Sequence, residues 1–235
     1  MRCRVTPWRA SVVVRTGGGS PPLPGEISLA HRGVLFLDEL PEFDRRVLEA
    51  LREPLETGRV TISRAARQAE FPAFFQLIAA MNPCPCGHLG DPAHACRCTL
   101  EQVQRYRARI SGPMLDRIDL QVMVPPVSAE TLSSDAVAAE SSRDVARRVS
   151  EVWEVQRGRQ GVCNARLGIR GLREHCVLDP RGLDILQRAA RRLAFSARVY
   201  HRFQRLARTI ADLEGAERIA SRHVAEAIQL RRFEA

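Results

Sequence analysis

The chain has 235 residues, of which 45% are hydrophobic and 27% charged, so it can bury one sizeable core plus a smaller module and is not a disordered tail. Its formal charge is +9, lysine plus arginine number 36, and every one of these is arginine; a polyanionic partner such as nucleic acid suits that balance, as does a GC-rich genome. No apolar stretch is long enough to span a membrane and Met1-Arg2-Cys3-Arg4 does not open a signal peptide, which makes a cytoplasmic protein without membrane contact the expectation.

Residues 17–26, with Gly17-Gly18-Gly19, Pro21-Pro22 and Pro24-Gly25, read as a loop. It leads into Gly33-Val34-Leu35-Phe36-Leu37-Asp38-Glu39, an unbroken apolar run that suits a strand of a parallel sheet buried on both faces. Ligands of open α/β sheets sit beyond the carboxyl ends of the strands, where Asp38 and Glu39 emerge. In a nucleotidase the first acid holds Mg²⁺, usually through water, and the second orients or deprotonates the attacking water. Solvated acids opening a helix would give the same pattern. Val47, Leu48, Leu51 and Leu55 then share a helical face, with Pro54 and Gly58 as the expected stop. Residues 59–63 and 69–71 suit a hairpin whose tip, Arg64-Ala65-Ala66-Arg67, carries two arginines. Residues 74–81 read as a second buried strand ending on Asn82-Pro83, which would place a polar side chain beside the acids if the two strands are neighbours.

Seven cysteines with four clustered suit a reducing compartment and a metal site better than a disulfide framework. Cys84, Cys86, Cys96 and Cys98 form two Cys-x-Cys pairs that can close a tetrahedral Zn²⁺ site in a loop too poor in apolar residues to order itself otherwise. His88 and His94 are alternative ligands, and free thiols in a solvated loop are the competing reading. In the run from Tyr106-Arg107 to Asp119-Leu120, Arg117 reads on spacing alone as one half of a surface ion pair with Asp116 or Asp119. A strand is expected to continue through Val122 and Val124.

From Pro125-Pro126 onward the pattern is helical. Residues 129–157 are rich in Ala, Glu and Arg, with Arg143 and Arg147 at i, i+4. Asp179-Pro180 is an N-cap and N1 pair opening a helix through Leu183, Leu186 and Leu193. Val199, Phe203, Leu206, Ile210 and Leu213 form a stripe that Gly215 ends, and Ser221 is the expected cap of a last helix. Arg198, Arg202, Arg205 and Arg208 flank the stripe, as charges solvating a helix or as contacts to a nucleotide or DNA.

Taken together, the segments from Pro24-Gly25-Glu26 to His31, Gly33 to Phe43, Ala80-Met81-Asn82-Pro83-Cys84-Pro85-Cys86-Gly87, Ser111-Gly112-Pro113, Asp116-Arg117-Ile118-Asp119, Ser196-Ala197-Arg198 and Thr209 to Leu213 resemble the ComM/YifB family of magnesium-chelatase-like AAA+ proteins. The resemblance implies an α/β fold, a partial AAA+ P-loop core over residues 17–127 followed by an all-α lid over 128–235, with 1–16 unmatched. It implies that Asp38 and Glu39 are the Walker B acids, Asn82 the sensor-1 residue, Arg117 an arginine finger acting on ATP of a neighbouring subunit, and Arg198 the sensor-2 arginine. ATP and Mg²⁺ at Asp38 are the cofactors implied. The hairpin matches one that points into the pore of related ring ATPases, where Arg64 and Arg67 would meet DNA phosphates without sequence preference. Family members form hexameric rings linked to DNA branch migration in natural transformation.

Two features depart from the family. A lysine-free chain holds no Walker A lysine, and the family's N-terminal protease-like domain has no counterpart here; a truncated or frame-shifted reading frame is the expected explanation, with a divergent but genuine N-terminus as the alternative. The expectation is therefore a piece of a DNA-remodelling ATPase that does not hydrolyse ATP alone. The ATPase subunit of magnesium chelatase and a non-catalytic assembly module supplying Arg117 in trans are the alternatives; the four cysteines and Pro41-Glu42-Phe43 favour the first reading.

Overall fold

The computed structural model describes residues 3–5, 17–18, 23–64, 67–127, 140–193 and 195–231. They fall into two compact units, Met1–Ile118 and Asp119–Ala235, a division nine residues before the expected boundary at 127/128.

The first unit contains β1 (Cys3–Val5), β2 (Gly17–Gly18), β3 (Leu23–Pro24), α1 (Glu26–Leu29) and β4 (Val34–Leu37). They are followed by α2 (Arg45–Ala50), α3 (Arg52–Thr57), β5 (Arg59–Arg64), β6 (Arg67–Pro72), β7 (Gln76–Ala79), α4 (Leu100–Arg107) and α5 (Gly112–Leu115). The sheet that positions the acids has the order β1, β4, β7 and is parallel throughout, with Val5 opposite Phe36 and Leu37 opposite Ala79. The apolar run of β4 is buried as its composition requires: Leu35 and Leu37 pack with Leu48, Leu51, Ile62 and Met114 in one core. β7 departs from the expectation of a second buried strand. Its residues alternate between exposed and half-buried, with Ile78 43% exposed, because only the face bearing Leu77 and Ala79 packs against the core.

The helix expected to stop at Pro54 with Gly58 does end at Gly58 but is broken at Leu51, giving α2 and α3. A proline ring clashes with the carbonyl four residues earlier, which here belongs to Ala50, so the break falls one turn upstream of the proline. Gly58 ends α3 in the left-handed conformation, φ 71°, and a Cβ there would meet Phe74 Cδ2 at 2.9 Å. The hairpin β5–β6 runs from Arg59 opposite Pro72 to Arg64 opposite Arg67. Val60 and Ile62 face the core while Arg59 pairs with Glu70 at 2.6 Å on the other side.

The second unit is helical: α6 (Ser142–Gln160), α7 (Ile169–His175), α8 (Pro180–Arg192), α9 (Ala197–Leu213) and α10 (Ser221–Gln229). Residues 129–139 of the first expected helix lie among 128–139, outside the described residues. No strand continues through Val122 and Val124. Both are exposed, in irregular chain whose Gln121 N–H bonds Leu230 O at 2.7 Å. The helices enclose a core of Leu172, Leu186, Val199, Phe203, Ile210 and Val224 among others, the face that the α9 stripe presents; Leu213, at the end of that stripe, is 44% exposed.

Asp179 caps two helices with one carboxylate. Its Oδ1 accepts from Gly182 N–H at 2.5 Å at the start of α8, and its Oδ2 accepts from Ser221 N–H at 3.2 Å at the start of α10. Ser221 is therefore the first residue of α10 rather than its cap. The capping position is Ala220, whose N–H donates to His223 Nδ1 at 3.0 Å. Three of the four α9 arginines, all but the exposed Arg198, also depart from a solvated reading. Arg208 is buried and donates to Asp212, Ala216 O and Glu217 O, Arg205 donates to Leu167 O at 2.7 Å, and Arg202 pairs with Asp119 at 3.1 Å.

Candidate nucleotide site and metal centre

The acids sit where a parallel sheet puts functional groups. Ala80 N–H donates to Leu37 O at 2.9 Å and Leu40 N–H to Ala80 O at 3.0 Å, which ties together the chains leaving β4 and β7. Asp38 and Glu39 therefore emerge at the same sheet end as Asn82, two residues past Ala80, and all three are exposed. Asp38 Oδ1 accepts from Glu39 N–H at 2.9 Å. Glu39 has φ 52° and ψ 49°, a left-handed conformation uncommon outside glycine, and it opens a 3₁₀ turn, Leu40–Glu42. Such strain persists where the surroundings enforce it, and here Leu40 and Pro41 are buried on one side of it.

Helix α4 braces this end of the sheet, which the sequence reading did not assign. Thr99 and Gln102 close a capping box at its start. At its other end Arg107 Nε donates to Pro83 O at 3.4 Å, while Arg109 Nη1, just past the helix, donates to Pro41 O at 3.2 Å and pairs with Glu42 at 2.8 Å. Tyr106 is buried beneath them. Burial and the charge of Glu42 push its phenol above the ordinary range, against a hydrogen bond with the Asn82 backbone. The loops after both strands are thus held by one helix end. Thr-x-x-Gln ahead of an apolar position was a visible start signal; the clamp itself was not.

Arg117 follows α5, whose start is capped by Ser111 Oγ and whose Met114 is fully buried. Its side chain is 7% exposed; Nη1 donates to Pro113 O at 2.6 Å and Nη2 pairs with Glu56 of α3. The partner the structure gives is thus remote in sequence, unlike either neighbour considered from spacing. Arg198 is exposed on the first turn of α9 in the second unit. Arg64 and Arg67 close the described ladder of the hairpin as opposing residues; Ala65 and Ala66 lie outside the described residues.

The four cysteines converge. Sγ–Sγ separations are 3.4 Å for Cys84–Cys86, 3.7 Å for Cys84–Cys96 and 3.6 Å for Cys86–Cys96, and Cys98 joins them with all four sulfurs within 4.8 Å. A tetrahedron with Zn–S bonds of ~2.3 Å has edges of about 3.8 Å, so the donor set fits Zn²⁺ closely. Backbone hydrogen bonds from His88 and Arg97 hold the Cys86 thiol down at about 5, while burial and then the neighbouring thiols push Cys98 up to about 12. Four sulfurs this close cannot all ionise without a cation among them. His88 and His94, considered as alternative ligands, turn instead to Asp91: their Nδ1 atoms lie 3.3 Å and 3.0 Å from its Oδ2.

Residues 5–132 match the family described as "Magnesium chelatase, subunit ChlI" and residues 139–231 the one described as "Magnesium chelatase, subunit ChlI C-terminal". The first match begins inside the 1–16 segment that the sequence reading set apart. Competence protein ComM of Haemophilus influenzae is 46% identical over 94% of this chain and 43% of its own length, and YifB of Salmonella typhimurium is 48% identical over 94% and 44%. The maternal DNA replication licensing factor mcm3 of Xenopus laevis is 41% identical over 25% of this chain and 7% of its own length. The chain thus spans less than half the length of the curated relatives it matches along most of its own. With both family matches in chain order and an α/β unit followed by a helical one, the chain belongs to the ComM/YifB family of magnesium-chelatase-like AAA+ proteins.

Proposed function

We propose that this chain carries the Walker B, sensor and arginine-finger side of an AAA+ ATPase that remodels DNA, with ATP-driven branch migration in natural transformation as its family role. The observation that carries the reading is the shared end of two parallel strands, where Asp38, Glu39 and Asn82 emerge together, tied by the bonds among Leu37, Leu40 and Ala80. MgATP, when bound, supplies the phosphoryl group and a cation that polarises it. Asp38 would hold that Mg²⁺ through its carboxylate, Glu39 would orient and deprotonate the attacking water, and Asn82 would fix the position of that water through its amide.

Arg117 would leave Glu56 to stabilise charge on a neighbouring subunit's nucleotide, in a hexameric ring of the family type, and Arg198 would reach the nucleotide from the lid. This assigns the α/β core to residues 17–127 and the lid to 128–235. Arg64 and Arg67 would track DNA phosphates in the pore, the four cysteines would hold a structural Zn²⁺, and the protein would act in the cytoplasm. Since lysine is absent from the chain, the phosphate grip must come from elsewhere, and the chain alone is expected to hydrolyse no ATP. The description of the matching family keeps the ATPase subunit of magnesium chelatase as a second reading; the four-cysteine cluster and the long match to ComM favour the first.

The test is a chimera joining the preceding region of Haemophilus influenzae ComM to this chain. Glu39→Gln should lower its Mg²⁺-dependent ATPase rate by about 100-fold or more while nucleotide binding persists, the scale on which a positioned general base acts. Equal rates in parent and variant would overturn the assignment of Glu39.

A further inference from the structure

The loop between the cysteine pairs holds three ligating side chains that neither the nucleotide site nor the four-cysteine cluster uses. Its backbone brings them together in two steps. Asp91 N–H donates to His88 O at 3.1 Å, a turn that Gly90 permits at φ 83°. Asp91 Oδ1 then accepts from Ala93 N–H at 2.8 Å, which bends the chain so that His94 returns over the carboxylate. The outcome is one oxygen, Asp91 Oδ2, facing His88 Nδ1 at 3.3 Å and His94 Nδ1 at 3.0 Å, with the imidazole centroids 5.0 Å apart and one ligand atom from each of the three residues within 4.8 Å of the others.

We propose that His88, Asp91 and His94 form a second metal site, separate from the four cysteines and open to solvent, that takes a borderline divalent cation such as Zn²⁺, Co²⁺ or Ni²⁺. Metal–nitrogen and metal–oxygen bonds of ~2.0–2.2 Å give coordination edges of about 3.0 Å in an octahedron and about 3.4 Å in a tetrahedron. The two measured separations are of that size. Two imidazoles and one carboxylate suit these cations and not Ca²⁺ or Mg²⁺, which require mostly oxygen ligands. Three protein ligands leave at least one position to water, the arrangement of exchangeable rather than closed sites. The Ala93 N–H bond to the far carboxylate oxygen supplies the outer-shell support that keeps a ligating group aimed. Side-chain exposures of 44% for His88 and 67% for His94 leave the site accessible to ions and to chelators, so it should lose its metal before the cysteines lose theirs.

The test is equilibrium dialysis of the untagged full chain against Zn²⁺, with metal counted per chain, beside the variants H88A/H94A and D91N. The wild type should bind two ions and H88A/H94A one. D91N should bind its second ion about 10–100-fold more weakly than the wild type, or not at all. Protection of the cysteines from a thiol reagent, retained in the variants, checks that the loop is still folded. Co²⁺ added to wild type carrying a single equivalent of Zn²⁺ should give d–d absorption without thiolate charge transfer and shift the imidazole ring protons. Equal stoichiometry in wild type and H88A/H94A, or Co²⁺ bands with thiolate character only, would overturn the proposal. If the cysteines hold no zinc, the wild type should bind one ion and H88A/H94A none, which separates failure of the cysteine reading from failure of this one.

Discussion

At the scale of single residues, the second unit rests on two aspartates that each serve several partners. Asp179 closes the first turns of α8 and α10 at once, and the helices lie so close there that a Cβ on Gly182 would meet Asp179 Oδ1 at 2.7 Å and Val224 Cγ2 at 3.2 Å. Losing one cap costs ~0.5–2 kcal/mol, so Asp179→Ala should lower stability by about 2 kcal/mol in urea melts; a loss below about 0.5 kcal/mol would mean that water replaces both bonds. Asp212 accepts from Arg159 at 2.6 Å and 2.9 Å, from Asn164 at 2.8 Å and from Arg208 at 3.0 Å. Burial pushes its carboxyl up, but these donors and the charge of Arg208 outweigh burial and hold it below the ordinary value. A lowered folded pKa means that the contribution is complete above the unfolded value of ~3.9 and is lost as pH falls from there through the folded value. Urea midpoints of the wild type should therefore drop below about pH 4 more steeply than those of Asp212→Asn; parallel curves would contradict this. The Asp179 cap of α8 was legible in the Asp179-Pro180 pair; its second cap, at α10, and the role of Asp212 were not. An arginine on a helix flank reads as solvated until its acceptors are known, and those of Arg208 are Asp212 one turn on and the carbonyls of Ala216 and Glu217 beyond the end of its own helix.

At the scale of elements, what was legible followed from composition and what was not followed from neighbours. The β4 run had to be buried because no residue in it could face water, and the Asp38–Glu39 exit followed from that. β7 looked the same by hydropathy yet has only one face covered, since an apolar run does not state how many layers pack on it. The α2–α3 break came from Pro54 acting four residues upstream rather than where it stands. Tyr106, Arg107 and Arg109 clamp two loops far from them in sequence, a contact that only the fold brings about. The four cysteines were the most legible local feature, because so few apolar side chains separate them. If a cation orders that loop, a chelator strong enough to strip the cysteines should expose all four to a thiol reagent and speed proteolysis between residues 84 and 98, and added Zn²⁺ should restore protection. Unchanged protease sensitivity after stripping would show that α4 and the strand ends hold the loop unaided.

At the scale of the whole molecule, the chain combines an α/β unit bearing the acids with a helical unit bearing Arg198, and the central claim is that Glu39 and Arg117 serve different subunits of one ring. The ion pair of Arg117 with Glu56 keeps the guanidinium within its own unit, so the proposed ring would have to exchange one carboxylate for a phosphate, which arginine binds with the same forked geometry. An arginine finger acting in trans is worth about 10³–10⁵-fold in rate, so its loss should be as plain as loss of the general base. The most direct measurement mixes two ComM chimeras, one carrying Glu39→Gln and the other Arg117→Ala, and reads ATP hydrolysis. Each alone should be inactive, and the mixture should recover activity at interfaces that pair an intact Glu39 with an intact Arg117. A mixture as inactive as its parts, or an Arg117→Ala chimera that hydrolyses ATP at the parent rate, would contradict the account.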